Sequence, residues 1–131
     1  MKGYTDLEQS KKLSEFLPLE SADMCWQKIY DENHLLSDYR IELLPFRLYS
    51  GLGVPAWSLA ALLSVLPLGI YDEFDSCDYE LEINMIDKMP RYIRLGDIYH
   101  SQFPYDFEKD TLLDNIVESI IWLNDNNYFE L

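Results

Sequence analysis

The sequence predicts an α+β domain in which helices pack on a small, mainly antiparallel sheet, and three observations carry that reading. Tyr79, Leu81, Ile83 and Met85 alternate with Asp78, Glu80, Glu82 and Asn84, the period of a strand with one face in the core and one in water. Leu112, Leu113, Ile116, Val117, Ile120, Ile121 and Leu123 form a stripe opposite Asp114 and Glu118, the pattern of an amphipathic helix. The 131 residues, 48% apolar and 15% aromatic, suffice for one hydrophobic core and are too apolar for a disordered acidic tail. With no internal repeat or linker, residues 1–131 read as a single α+β domain.

Taken in order, Thr5 and Glu8 make a T-x-x-E capping box, and Leu7, Leu13, Phe16 and Leu17 follow as a short apolar stripe that stops at Pro18. Ser21 is placed to cap a second helix, ending near Tyr30, in which Ala22, Cys25, Trp26 and Ile29 share one face. Tyr39 to Leu44 alternates as a first strand, and Pro45 marks it as an edge or a bulge. Pro55 suits the first turn of a helix that runs toward Pro67 and carries Leu59, Leu62, Leu63 and Leu66. That helix is apolar nearly all round and is expected to be the most enclosed element. The strand at 78–85 turns through Asp87–Pro90 into Arg91–Tyr99 as an antiparallel hairpin, where Arg91 and Arg94 would partly offset the carboxylates across the ladder. The stripe from Leu112 forms the last helix, and Asn124–Asn127 stops it. The expected order is α-α-β-α-β-β-α.

The charge narrows function. With 24 acidic and 10 basic side chains the formal net charge is −14, a field that repels phosphate backbones and anionic membranes, so direct nucleic-acid and membrane binding are not expected. Leu48 to Tyr71 contains no charged residue. Pro55 and Pro67 nonetheless limit its helix to about twelve residues, roughly 18 Å against the ~30 Å of a hydrocarbon core. The N-terminus turns polar at once, and Cys25 and Cys77 show no CxxC or zinc-ligand spacing, so reduced thiols in the cytoplasm are expected.

Gly51-Leu52-Gly53-Val54-Pro55-Ala56 satisfies the dinucleotide fingerprint G-x-G-x-x-G/A, with Asp72 and Glu73 about twenty residues on. Pro55 removes an amide where phosphate would sit, and a hairpin follows instead of further βαβ units, which favours a structural glycine loop. Asp72, Glu73, Asp75, Asp78, Glu80, Glu82 and Asp87 precede the next base, Lys88. A calcium loop counted from Asp72 would need glycine where Cys77 stands. The remaining readings of this run are a solvated strand face or a negatively charged docking surface for a basic partner, including imitation of a phosphate array. Carboxylates two apart on a strand approach glycosidase spacing, but that spacing alone defines no reaction. Two histidines, His34 and His100, have no local nucleophile or orienting group, and G-x-S-x-G and H-E-x-x-H are absent. Trp26, Trp57 and Trp122 fall beside helical stripes and read as core. The aromatic loop Tyr99–Tyr105, with Phe103, reads either as a contact surface or as a cover for the sheet.

Thr5-Asp-Leu-Glu-Gln-Ser-Lys-Lys-Leu, Leu19-Glu-Ser-Ala-Asp-Met, Val54 to Pro67 and Asn115-Ile-Val-Glu-Ser-Ile-Ile-Trp-Leu resemble a group of small uncharacterised acidic proteins of gut anaerobic bacteria, often associated with phage-like or mobile elements. The resemblance covers most of the chain, implies a cytosolic domain in such a context, and carries no catalytic or binding residues. The sequence therefore points to a non-enzymatic interaction or structural protein with no cofactor, metal or catalytic set. It would meet a protein partner, basic in character, through Asp72, Glu73, Asp75, Asp78, Glu80 and Glu82 or through Tyr99, Phe103 and Tyr105. The alternatives are a small ligand-binding, metal-binding or catalytic domain using the carboxylates of residues 72–87 or the Gly51–Ala56 loop, and a DNA-mimicking inhibitor of a basic protein.

Overall fold

Helices and antiparallel sheets place the chain in the α+β class. The computed structural model describes residues 2–30, 39–73, 76–94, 102–103 and 109–129, and its contacts group into two units, Gly3–Ala61 and Met1–Lys2 with Leu62–Leu131.

In the first unit, helix α1 (Leu7–Ser14) is capped by Asp6, not Thr5. The Asp6 carboxylate accepts from the Gln9 amide at 2.8 Å, and the Gln9 side chain accepts from the Asp6 amide at 3.1 Å, so the capping box lies one residue later than the sequence suggests. Thr5 is instead buried, sharing a hydrogen bond with Ser10 at 2.7 Å and accepting from the Trp57 amide at 3.1 Å. Leu13 is fully enclosed, and α1 packs on the third strand.

The second predicted helix is a strand. A 3-10 turn at Leu19–Ser21 leads into β1 (Met24–Tyr30), which pairs with β2 (Tyr39–Pro45) on one side and β3 (Val54–Ala56) on the other. Ser21 caps nothing. Its hydroxyl donates to the Pro18 carbonyl and accepts from the Trp57 indole at 2.9 Å. Cys25 and Gln27 are buried on one face, and across the strand Trp26 is half-buried and donates from its indole to the Thr5 carbonyl. With both faces covered there, alternation disappears from the sequence and a false helical period remains. Burial pushes the Cys25 thiol above its ordinary pKa, which disfavours the thiolate and makes it a core group instead of a nucleophile.

Pro55 lies inside β3, opposite Cys25, where an edge strand needs no further donor. Helix α2 (Leu59–Val65) starts four residues after it. Ser58 serves the start of α2: its hydroxyl accepts from the Ala61 amide at 3.2 Å, while its own amide and hydroxyl are held by the Asp23 carboxylate. Only Leu62 of α2 is buried, so this is not the most enclosed helix.

That place belongs to α3 (Leu112–Asp125) in the second unit. Thr111 caps it, accepting from the Asp114 amide at 3.1 Å. Leu113, Ile116, Val117, Ile120 and Leu123 are buried as the stripe requires, and α3 packs on the strand β6 described next. The sheet has the order β4-β5-β6-β7, all antiparallel: β4 (Gly69–Asp72), β5 (Cys77–Asn84), β6 (Met89–Arg94) and β7 (Gln102–Phe103). The hairpin is as predicted, but its turn is 85–88 and β6 starts two residues before Arg91. The Asn84 side chain accepts from the Ile86 amide at 2.9 Å, and Lys88 takes φ +59° to close the turn. The expected strand residues 95–99 lie outside the described residues.

Candidate interaction site

β5 sets the site through its period. Tyr79 is buried, Leu81 and Ile83 are half-buried, and Asp78, Glu80 and Glu82 are exposed, so the three carboxylates stand on one face at about 7 Å intervals. The register places Tyr71 of β4 beside Asp78, Gly69 and Ile93 on either side of Glu80, and Arg91 of β6 opposite Glu82. Gly69 has no side chain, so one flank of Glu80 is open.

The expected charge offset reaches this face only through Arg91, which stands opposite Glu82 without a salt bridge to it. The Arg91 guanidinium is held by the Asp87 carboxylate at the turn, and Arg94 pairs with Tyr79, which puts it on the opposite parity. Among the described residues, no salt bridge engages Asp78, Glu80 or Glu82. The row ends at an apolar tip, where Met85 is exposed and Ile86 is 94% exposed. Sequence reasoning passed over this tip, although two adjacent apolar residues in a tight turn are a readable signal. At the other end, Tyr71 and Glu73 are exposed and line an open cleft of about 600 Å³ with Ile70, Tyr128 and Phe129.

Asp72 does not belong to the surface. It is 8% exposed and pairs with Cys77 on the inward parity of β4, alongside buried Ile70. The charge run hides this because it crosses from one strand into the next, and the strand period decides which carboxylates face water. Asp75, Tyr99 and Tyr105, like His34 and His100, lie outside the described residues. Phe103 falls in β7, opposite Tyr92.

The glycine motif has structural roles. Gly51 has φ +86°, which glycine adopts without a Cβ penalty. A Cβ on Gly53 would lie 2.7 Å from the Trp26 carbonyl oxygen and 2.7 Å from Cγ of Gln27. Gln27, buried in β1, holds the loop: its amide donates to the Leu48 carbonyl, and its oxygen accepts from the Ser50 amide at 3.0 Å and from the Ser50 hydroxyl. The loop then enters β3 instead of a helix N-terminus. The adjoining cavity, lined by Gln27, Lys28 and Ser50 among others, is about 120 Å³, well below the ~300 Å³ at which ligand pockets begin. Gly53→Ala is expected to cost about 1–3 kcal/mol by overpacking against backbone, read as a lower denaturation midpoint. An unchanged midpoint would show that Gly53 does not pack against Trp26.

Among the described residues, no group of three His, Cys, Asp or Glu side chains is placed to hold a metal ion, and no helix is long and apolar enough to cross a membrane. Compared with protein-family models, curated proteins and solved structures, the chain matches none of them.

Proposed function

We propose that this chain is a non-enzymatic interaction protein of the cytoplasm that takes a basic protein partner on the outer face of β5. The observation that carries the reading is the solvent-facing row Asp78, Glu80 and Glu82, with Arg91 drawn away to Asp87. The row offers spaced acceptors to Lys and Arg side chains, which form charge-assisted hydrogen bonds with carboxylates. Met85 and Ile86 at its end supply apolar area, which contributes more to affinity than charge at an exposed rim. Carboxylates spread along a strand instead of converging on one point suit an extended partner better than a small substrate.

The test uses a Lys- and Arg-rich peptide as probe and compares two variants of equal net charge. One neutralises Asp78, Glu80 and Glu82 as amides; the other neutralises Glu8, Glu15 and Glu20, which are exposed elsewhere. At roughly 0.1 M salt, where fields from beyond about 10 Å are screened, the β5 variant is expected to lose at least about tenfold in affinity. The control should lose less than about twofold. Equal losses would show that only total charge matters and would remove β5 as the site.

A further inference from the structure

The sheet of the first unit has the order β2-β1-β3, and its two edges differ. The β3 edge is three residues long with Pro55 at its centre. The β2 edge runs through Tyr39-Arg40-Ile41-Glu42-Leu43-Leu44 before Pro45, and among the described residues no strand pairs with its outer side. Charged side chains, Lys above all, and Pro are common protections of an exposed edge; these six residues hold no Lys or Pro, and their two charges, Arg40 and Glu42, are of opposite sign. On one face Tyr39 is 45% and Ile41 43% exposed. Tyr39 is held in place by Tyr30, edge to face at 6.0 Å, and by the Lys28 ammonium 4.5 Å from its ring centre.

We propose that β2 pairs with β2 of a second copy of this chain, antiparallel about a two-fold axis through Ile41, joining two three-stranded sheets into one of six strands. The charges select this occupant and register. A two-fold axis perpendicular to a sheet must pass beside one residue of each strand, so the central choices are Arg40, Ile41 and Glu42. Centring on Arg40 opposes two guanidiniums, and centring on Glu42 opposes two carboxylates; like charges directly across a ladder destabilise it. Centring on Ile41 sets each Arg40 opposite Glu42 of the other copy. Arg40 and Glu42 already form an ion pair within one strand, so the four charges alternate around the axis. The same register places Tyr39 opposite Leu43 and Ile41 opposite Ile41, extending one apolar face across the junction. The surface is self-complementary, as a closed dimer requires. The proposal concerns a different sheet from the acidic row and does not depend on the partner proposed for it.

Sedimentation equilibrium of the full chain at about 0.15 M salt, where charge repulsion is screened beyond roughly 8 Å, tests the proposal. A concentration-dependent monomer–dimer equilibrium is expected. Arg40→Glu and Glu42→Arg each replace two attractive cross-strand pairs by two repulsive ones and should raise the dissociation constant by about tenfold or more. The double variant restores the complementarity and should return to within about threefold of the parent. Ile41→Lys should leave monomer, with an unchanged far-ultraviolet circular dichroism spectrum confirming that it folds. A parent that stays monomeric, a dimer insensitive to these changes, or a double variant as weak as the single ones would each overturn the proposal.

Discussion

Replacing Trp57 by Ala is expected to lower the unfolding free energy by about 3–5 kcal/mol, the range for removing a fully buried large aromatic side chain. Trp57 has no exposed surface and stands where three segments of the first unit meet. Its carbonyl accepts from the Thr5 amide at 2.9 Å, its amide donates to the Thr5 hydroxyl at 3.1 Å, and its indole donates to the Ser21 hydroxyl at 2.9 Å. The substitution opens a cavity where the buried indole packs and leaves Ser21 without its indole donor. Domains of this size are stable by roughly 5–15 kcal/mol, so the loss is a large fraction of the whole. Urea titration followed by far-ultraviolet circular dichroism measures it. Trp57→Phe, which keeps most of the apolar volume and loses only the indole donor, should cost about 1–2 kcal/mol. Equal effects of the two changes would show that the hydrogen bond, and not the packing, holds the site.

The elements legible in the sequence are those with one face in water. β5 and α3 could be read because solvent on one side keeps polar residues at the strand or helix period, and the structure finds both within a residue or two of the predicted bounds. β1 could not, because its first half is buried on one face and half-buried on the other, and its second partner β3 lies beyond β2 in the chain. A local pattern contains no record of that pairing. Pro55 is ambiguous for a related reason: a proline tolerated at a helix start is equally tolerated on an edge strand, and only the pairing with Cys25 distinguishes the two.

The candidate site divides the same way. Asp78, Glu80 and Glu82 were legible as an outward row because they alternate with apolar residues. Asp72 shares only its charge with them and is buried, because Gly69-Ile70-Tyr71-Asp72 forms its own strand with the even positions inward. The glycine motif matched a cofactor fingerprint by composition, whereas the structure accounts for Gly53 by its approach to Trp26 and Gln27, a contact that no spacing rule contains.

Asn115→Ala is expected to destabilise the second unit by about 3–4 kcal/mol, and it explains how the acidic row keeps its orientation. Asn115 is fully buried on α3, one position from the apolar stripe. Its side-chain oxygen accepts from the Lys109 amide at 2.8 Å, and its NH₂ donates to the carbonyls of Lys88 at 2.6 Å and Lys109 at 3.3 Å. One side chain thus ties the β5–β6 turn, where Lys88 adopts a positive φ, to the segment entering α3. Alanine removes all three bonds, and each part-buried group left unpaired costs roughly 1–3 kcal/mol. Hydrogen exchange should lose protection first at the turn and the start of α3. Asn115→Asp separates charge from bonding. It keeps the acceptor for Lys109 but sets a desolvated carboxylate against two carbonyl oxygens, which raises its folded-state pKa above the unfolded value. A raised carboxylate pKa means the folded state binds the proton more tightly, so this variant should be less stable than Asn115→Ala at pH 7 and regain stability as the pH falls below that raised pKa. Denaturation midpoints measured across acidic and neutral pH check the sign, and a midpoint that falls with acidification would refute it. The consequence reaches the surface, because the hairpin register decides which face carries the carboxylates, and a slip of one residue would turn Asp78, Glu80 and Glu82 inward.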